Sequence, residues 1–111
     1  MKKIEAVIRR QKLSELKNEL SKLGVQGITV LEAGGFGHQR GRTSPEIDDD
    51  EIYLIPKYKL EIFTTDELVQ SIIEVITKVC YSGRPGDGKI FILPVEDAMR
   101  IRTKERGDQA L

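Results

Sequence analysis

Apolar residues recur in this chain with two different periods, and the order in which those periods alternate limits the folds open to it. Ile4, Ala6 and Ile8 occupy alternate positions of Ile4-Glu5-Ala6-Val7-Ile8-Arg9, the pattern of a half-buried strand. Leu13, Leu16, Leu20 and Leu23 follow at spacings of three, four and three, with Ser14, Glu15, Lys17, Asn18, Glu19 and Lys22 between them. That is one apolar stripe on an otherwise wet helix. Gly24 stands where a left-handed C-cap closes such a helix, and a second strand is expected from Gly27 to Ala33. Strict alternation resumes from Lys57 to Phe63, with Tyr58, Leu60 and Ile62 set against Lys57, Lys59 and Glu61. Thr64-Thr65-Asp66-Glu67 reads as a capping box ahead of a second helix through Ile72, Ile73, Ile76 and Val79. Lys89 to Leu93 is a short strand, Ala98 to Arg102 a candidate further one, and polar Lys104 to Gln109 finishes the chain.

The resulting order, β-α-β-loop-β-α-β, is that of the α+β ferredoxin-like split βαβ fold: an antiparallel four-stranded sheet with both helices on one face. The other face needs a cover, which points to oligomerisation. Between the halves, Gly34 to Ile55 has no period at all. So long an unpatterned stretch inside a small domain marks a functional loop. With 111 residues the chain suits one domain. Lys+Arg and Asp+Glu both number 18, so a general basic field for nucleic acid is not expected. One cysteine, Cys80, leaves no disulfide framework and is read as a helix-end packing residue. No apolar run approaches the roughly 18 residues that cross a bilayer, and Glu5, Arg9 and Arg10 interrupt any signal-like core after Met1. A cytoplasmic protein without membrane insertion is the expectation.

Four stretches could carry chemistry. Ser82-Gly83-Arg84-Pro85-Gly86-Asp87-Gly88-Lys89 combines three glycines with two cations; it can turn tightly and aim backbone N–H groups at an anion. Its G-x-x-x-x-G-K spacing matches part of a phosphate-binding P-loop, but Ile90 replaces the Ser or Thr that holds magnesium, and a strand follows where that motif opens a helix. An ordinary glycine-rich hairpin is the plainer alternative. Gly34-Gly35-Phe36-Gly37-His38-Gln39-Arg40-Gly41-Arg42 is a second glycine cluster at a strand end, either a ligand cradle or simply a loop base. The single His and single Cys give no basis for nucleophilic or acid–base catalysis. Arg100-Ile101-Arg102-Thr103, if extended, puts two guanidiniums on one face, suited to phosphate oxygens or to a solvated edge strand. Glu46-Ile47-Asp48-Asp49-Asp50-Glu51 holds five carboxylates in six residues. Such a run could ligate a hard cation, but it lacks the spacing and turn glycine of a calcium loop, and a solvated tip is the simpler reading.

Taken together, these segments resemble the PII signal-transduction proteins, small regulators of nitrogen and energy status. The resemblance is carried by Ser82 to Ile92, Gly35-Phe36-Gly37-x-Gln39, Ile55-Pro56-Lys57-x-Lys59-x-Glu61 and Arg100-Ile101-Arg102-Thr103, in that family's order across nearly the whole chain. It implies a non-catalytic homotrimer with ATP or ADP in three clefts between subunits, and 2-oxoglutarate bound beside ATP and Mg²⁺. By position, Gly86, Asp87, Gly88 and Lys89 would cradle phosphates, with Arg100 and Arg102 reaching in from a neighbouring subunit. Gly27 and Thr29 would line the adenine side, while Gly35, Phe36, Gly37, His38 and Gln39 form the loop base. Gln39 would contact Mg²⁺ and 2-oxoglutarate, whose distal carboxylate would pair with Lys57. The segment from about 37 to 56 corresponds to the family's partner-binding T-loop, with Arg40, Arg42, Glu46, Asp48, Asp49, Asp50 and Glu51 as its charged groups.

Two departures stand out. His38 replaces the family's usual Arg, which implies a weaker phosphate contact there. Ser44 to Glu51 replaces the usual Glu-Leu-Tyr-Arg-Gly-Ala-Glu-Tyr stretch with one residue fewer. The tyrosine modified in many bacterial members therefore has no counterpart. Asp50 falls near its place, Tyr53 lies a few positions off, and the arginine that enters ammonium channels aligns near Ile47. The function expected is regulation of a transporter's cytosolic face or a metabolic enzyme through this loop, with membrane association only through such a partner. The alternatives are a divergent regulator tied to metal or other solute transport whose acidic loop binds a divalent cation, or a small metal-binding protein or enzyme.

Overall fold

The computed structural model describes residues 1–35 and 55–111. The expected alternation appears as β1 (Lys2–Arg9), followed through a 3₁₀ turn at Arg10–Lys12 by α1 (Leu13–Lys22). Then come β2 (Thr29–Gly35), β3 (Ile55–Thr64), α2 (Val69–Cys80) and β4 (Ile90–Pro94). The strands form one antiparallel sheet in the order β2-β3-β1-β4. This is the ferredoxin-like α+β arrangement.

Strand pairing puts Ile4 opposite Ile62 and Ile92, Ala6 opposite Leu60 and Ile90, and Ile8 opposite Tyr58. This apolar face carries both helices. Ile4, Ala6, Ile8, Leu60 and Ile62 are fully buried against Leu16 and Leu20 of α1 and Ile72 and Ile76 of α2. The leucine spacing of α1 works as read, since Leu16 and Leu20 point inward and the residues between them are wet. Gly24 closes that helix at φ +84°. Its N–H reaches the Ser21 carbonyl at 3.1 Å, and the Val25 N–H reaches the Leu20 carbonyl at 3.4 Å, the paired bonds of a Schellman motif.

Three expectations are corrected. The second strand runs Thr29–Gly35, two residues later than expected, because its ends follow the ladder to β3 from Thr29↔Glu61 to Gly35↔Ile55. No capping box forms at Thr64–Glu67. Thr64 belongs to β3 and is buried, Thr65 makes no side-chain cap, and the Asp66 carboxylate accepts from the Met1 amine at 2.7 Å. A 3₁₀ turn at Asp66–Leu68 leads into the helix instead.

The third correction is at Ala98–Arg102, which is not a strand. β4 ends at Pro94, and the chain folds back on itself. The Arg100 N–H donates to the Glu105 carbonyl at 2.9 Å, the Lys104 N–H donates to the Arg100 carbonyl at 2.7 Å, and Lys104 adopts φ +63°. Met99 and Arg106 form an isolated bridge, and Arg106 donates two bonds to Asp97 Oδ2 at 2.8 and 2.6 Å. A last 3₁₀ turn spans Gly107–Ala110.

The open face of the sheet is mixed. Lys3 lies 3.1 Å from both Glu5 and Glu61, and Lys59 lies 3.2 Å from Glu5. Phe63, Phe91, Leu93 and Leu31 flank this ladder and remain 41–54% exposed.

Leu20 is wholly buried between α1 and the sheet. Leu20→Ala should therefore lower stability by about 2–5 kcal/mol. Urea unfolding should show this as a lower midpoint at unchanged slope.

Candidate functional site

Strand alternation decides which residues reach the glycine-rich turn between α2 and β4. Arg9 and Lys57 are opposite one another in the β1–β3 ladder, on the open face at the end nearest that turn. Arg9 grips the turn with both terminal nitrogens. Its Nη1 donates to Asp87 Oδ1 at 2.5 Å and to Ser82 Oγ at 3.3 Å, while Nη2 donates to the Pro85 carbonyl at 3.0 Å. Lys57, only 8% exposed, donates from Nζ to the Gly86 carbonyl at 3.1 Å.

Inside the turn, Asp87 plays the anion. Its Oδ2 accepts the N–H groups of Ser82 at 2.8 Å and Gly83 at 3.0 Å, and its Oδ1 accepts the Ser82 hydroxyl. These bonds and the Arg9 guanidinium, led by the Ser82 hydroxyl, hold the Asp87 carboxyl well below the usual carboxylate range. Burial pushes the Lys57 ammonium down, Arg9 adds to that, and Asp87 opposes it. Gly86 and Gly88 adopt φ +106° and +95°. At Gly88 a Cβ would also sit 2.0 Å from the Val7 carbonyl oxygen. The turn is pressed onto β1 too closely for any side chain.

The expected donors thus divide. The N–H groups of Ser82 and Gly83 are occupied by the Asp87 carboxylate, which closes the first half of the turn on itself. Ser82 to Pro85, Gly88 and Lys89 are exposed while Gly86 and Asp87 are half-buried, and neither Arg84 in the first half nor Lys89 in the second has a side-chain partner among the described residues. Four cations, Arg9, Lys57, Arg84 and Lys89, lie in or against the turn with Asp87 as its one carboxylate. A pocket of about 190 Å³ opens beside it, between β1, the end of α2 and Asp87–Ile90. Cys80, the last residue of α2, is buried at its edge, and burial raises its thiol pKa.

The other expected residues are dispersed. Gly35 ends β2, opposite Ile55 and with Lys57 alongside. Gly27 and Thr29 are exposed at the far end of β2. Thr29 pairs with Glu61, four residues along β3 from Lys57, or about 13 Å at strand rise. One subunit therefore does not bring Gly27 and Thr29 to the turn. Arg100 and Arg102 are not aligned on one strand face. Arg100 donates to the Leu111 carbonyl at 3.0 Å and lies 3.7 Å from Glu105, whereas Arg102 is exposed with no hydrogen bond or ion pair among the described residues. Phe36, Gly37, His38, Gln39, Arg40, Arg42, Glu46, Asp48, Asp49, Asp50 and Glu51 lie outside the described residues. Among the described residues no three His, Cys, Asp or Glu side chains cluster as metal ligands, and no helix is long and apolar enough to cross a membrane. Sequence reasoning missed Arg9, whose contacts in the turn lie 73–78 residues away along the chain. Its only local signal was its place at the end of an alternating strand.

Two outcomes follow from this geometry. Gly88→Ala combines a positive φ with a backbone clash and should cost about 2 kcal/mol or more, visible as a lower melting temperature. Asp87, with its folded pKa depressed, contributes stability that is present above its unfolded value near 4 and lost as pH falls toward the folded one. The stability gap between the parent and Asp87→Asn should therefore be widest at neutral pH and close on acidification, as read by denaturant unfolding from pH 7 to pH 2.

Comparison with known proteins bears on the same features. The family model described as Nitrogen regulatory protein P-II matches residues 1–105. The Nitrogen regulatory protein P-II of Rhodospirillum rubrum is 49% identical, that of Azospirillum brasilense 48% and that of Porphyra purpurea 47%, each with both chains covered in full. With its split βαβ sheet and its glycine-rich turn after the second helix, this chain belongs to the nitrogen regulatory P-II family, a family of signalling proteins and not of enzymes.

Proposed function

We propose that the chain is a PII-type sensor. It binds ATP or ADP at the Gly86–Lys89 turn and 2-oxoglutarate beside Mg-ATP, and it reports their occupancy to a partner through residues 37–56. The observation that carries this reading is the concentration of cations and positive-φ glycines at one turn of a chain whose formal net charge is zero. A polyphosphate needs several cations and N–H donors converging on it. Lys89 and the backbone of Gly86–Lys89 supply them from one subunit. Arg102 supplies another if a neighbouring copy brings it in, with Arg100 joining once it leaves Glu105 and the Leu111 carbonyl.

The nucleotide cleft in this reading needs a second subunit, because Gly27, Thr29 and the two arginines are remote from the turn in their own chain. The open sheet face supports a homotrimer. Its charge ladder is satisfied internally, and its rim of Phe63, Phe91, Leu93 and Leu31 is apolar and half-exposed. Gln39 would hold Mg²⁺ together with the phosphates, and Lys57, already near the turn, would meet the distal carboxylate of 2-oxoglutarate. Differential contacts at Gln39 and Lys57 would bias the pose of the segment between them. That segment is acidic at Glu46 and Asp48–Glu51 and has no tyrosine at the modification position. Its partner is therefore a cytoplasmic enzyme or a transporter's cytosolic face that presents basic residues.

Thermal unfolding against nucleotides, divalent ions and 2-oxoglutarate tests this. ATP or ADP at a hundred times the dissociation constant should stabilise by about 2.7 kcal/mol per site. Lys89→Ala and Arg102→Ala should each lose most of that shift. If both respond like the parent, the phosphate assignment is wrong. A shift with divalent ions alone and none with nucleotide would favour cation capture by the acidic segment instead. In calorimetry, 2-oxoglutarate should bind only with Mg-ATP present, and equal affinity without nucleotide would contradict the shared site. Light scattering should return a trimer's mass, and a monomer's mass would remove the intersubunit cleft.

A further inference from the structure

The Arg9 contacts belong to no part of the function proposed above, yet they span the turn on which it rests. The guanidinium touches Ser82 Oγ, the Pro85 carbonyl and Asp87 Oδ1. Those acceptors come from the start, middle and end of the turn. Asp87 relays the grip inward, because its second oxygen holds the Ser82 and Gly83 N–H groups. Arg9 and Asp87 are mostly shielded from solvent, with side chains 17% and 24% exposed. Arg9 thus commits three of its five N–H donors to acceptors of the turn. The carboxylate already fills the anion site that the first two N–H groups of the turn would otherwise offer.

We infer that Arg9 and Asp87 are positioning residues. They form a brace that holds the turn in the conformation in which its second half, Gly86 to Lys89, can receive the phosphates of a nucleoside polyphosphate. Neither side chain contacts the ligand. The inference rests on the nucleotide reading above, and its consequences run opposite to those of simple charge. Removing a carboxylate beside a polyanion should tighten binding if charge alone decides. If the brace decides, the same removal weakens it. Arg9→Lys keeps the charge, but one ammonium on a flexible stem cannot span three acceptors as a rigid fork does.

The test is calorimetry of Mg-ATP on the full chain for the parent, Arg9→Lys, Asp87→Asn, Lys89→Ala and the Arg9→Lys/Lys89→Ala double variant. It is paired with amide hydrogen exchange at Ser82 and Gly83 without nucleotide. Arg9→Lys and Asp87→Asn should each bind about tenfold more weakly. The double variant should lose little more than its worse single, because both changes act on one presented surface. A merely structural weakening of the fold would leave the two losses additive. The exchange at Ser82 and Gly83 should speed up in both brace variants. Arg9→Lys binding like the parent, Asp87→Asn binding more tightly, additive losses, or unchanged exchange would each overturn the brace. A parent that does not bind Mg-ATP overturns the nucleotide reading itself, while faster exchange in the variants would still establish the brace as a feature of the turn. Should Arg9→Lys not fold, Asp87→Asn carries the same opposed outcomes alone.

Discussion

The two-residue alternation of β1 is the constraint on which the rest depends. β1 is the inner strand that pairs with both β3 and β4, so its two faces decide what lies above and below the sheet. Its even residues, Ile4, Ala6 and Ile8, form the floor under both helices. Its odd residues run from Lys3 and Glu5 in the charge ladder to Arg9 at the glycine turn. A one-residue slip in register would expose the core and bury these charges together. The hydrophobic pattern that stabilises the fold thereby also delivers Arg9 to the candidate site.

Features set by neighbours in sequence were legible beforehand. The strand period, the leucine stripe of α1, the C-cap at Gly24, the failed P-loop and the burial of Cys80 all depend on residues within one or two turns of chain. What sequence reading misplaced was set by distant partners. Thr64 looked like part of a capping box, but it completes the β1–β3 ladder opposite Lys2, and its neighbour Asp66 is claimed by the Met1 amine. Ala98–Arg102 alternates like a strand, yet among the described residues it joins no ladder, only the isolated Met99–Arg106 bridge. Its backbone bonds close locally through Glu105 and Lys104 instead. At the candidate site, the glycines and cations of the turn were visible in sequence. Asp87's role as an internal anion was not: its bonds to Ser82 and Gly83 are local, but the arginine that joins them comes from 78 residues away.

The charges on the open face illustrate a related economy. Glu5 and Glu61 stand directly opposite each other on neighbouring strands, an arrangement that is unfavourable on its own. Lys3 bridges both, and Lys59 adds a second contact to Glu5. The bonds from Lys3 and Lys59 hold the Glu5 carboxyl below its ordinary value, and those from Glu5 and Glu61 hold the Lys3 ammonium above its own. A face wired in this way can approach a second copy of itself without leaving an unpaired charge. The exposed aromatic and leucine residues at its rim provide apolar area for such a contact.

The turn solves a different electrostatic problem. A chain with equal numbers of acids and bases has no long-range pull on a polyanion, and exposed charges act only over roughly 8 Å at physiological ionic strength. Attraction must therefore be built locally, from cations that would repel one another if left unbraced. Arg9 and Lys57 are opposite in register, and both are anchored to acceptors of the turn itself. Asp87 offsets part of their charge while occupying the N–H groups that a phosphate would otherwise have to share. What remains is the second half of the turn: two φ-positive glycines, Gly86 half-buried and Gly88 exposed, and the exposed Lys89. In the nucleotide reading proposed above, the internal carboxylate confines the anion site to the second half of the turn. In that reading, a phosphate at Gly86–Lys89 would lie close to Lys57, whose ammonium bonds the Gly86 carbonyl and whose side chain passes Gly35 at the end of β2. A ligand held there sits beside the base of the segment whose pose it is proposed to control.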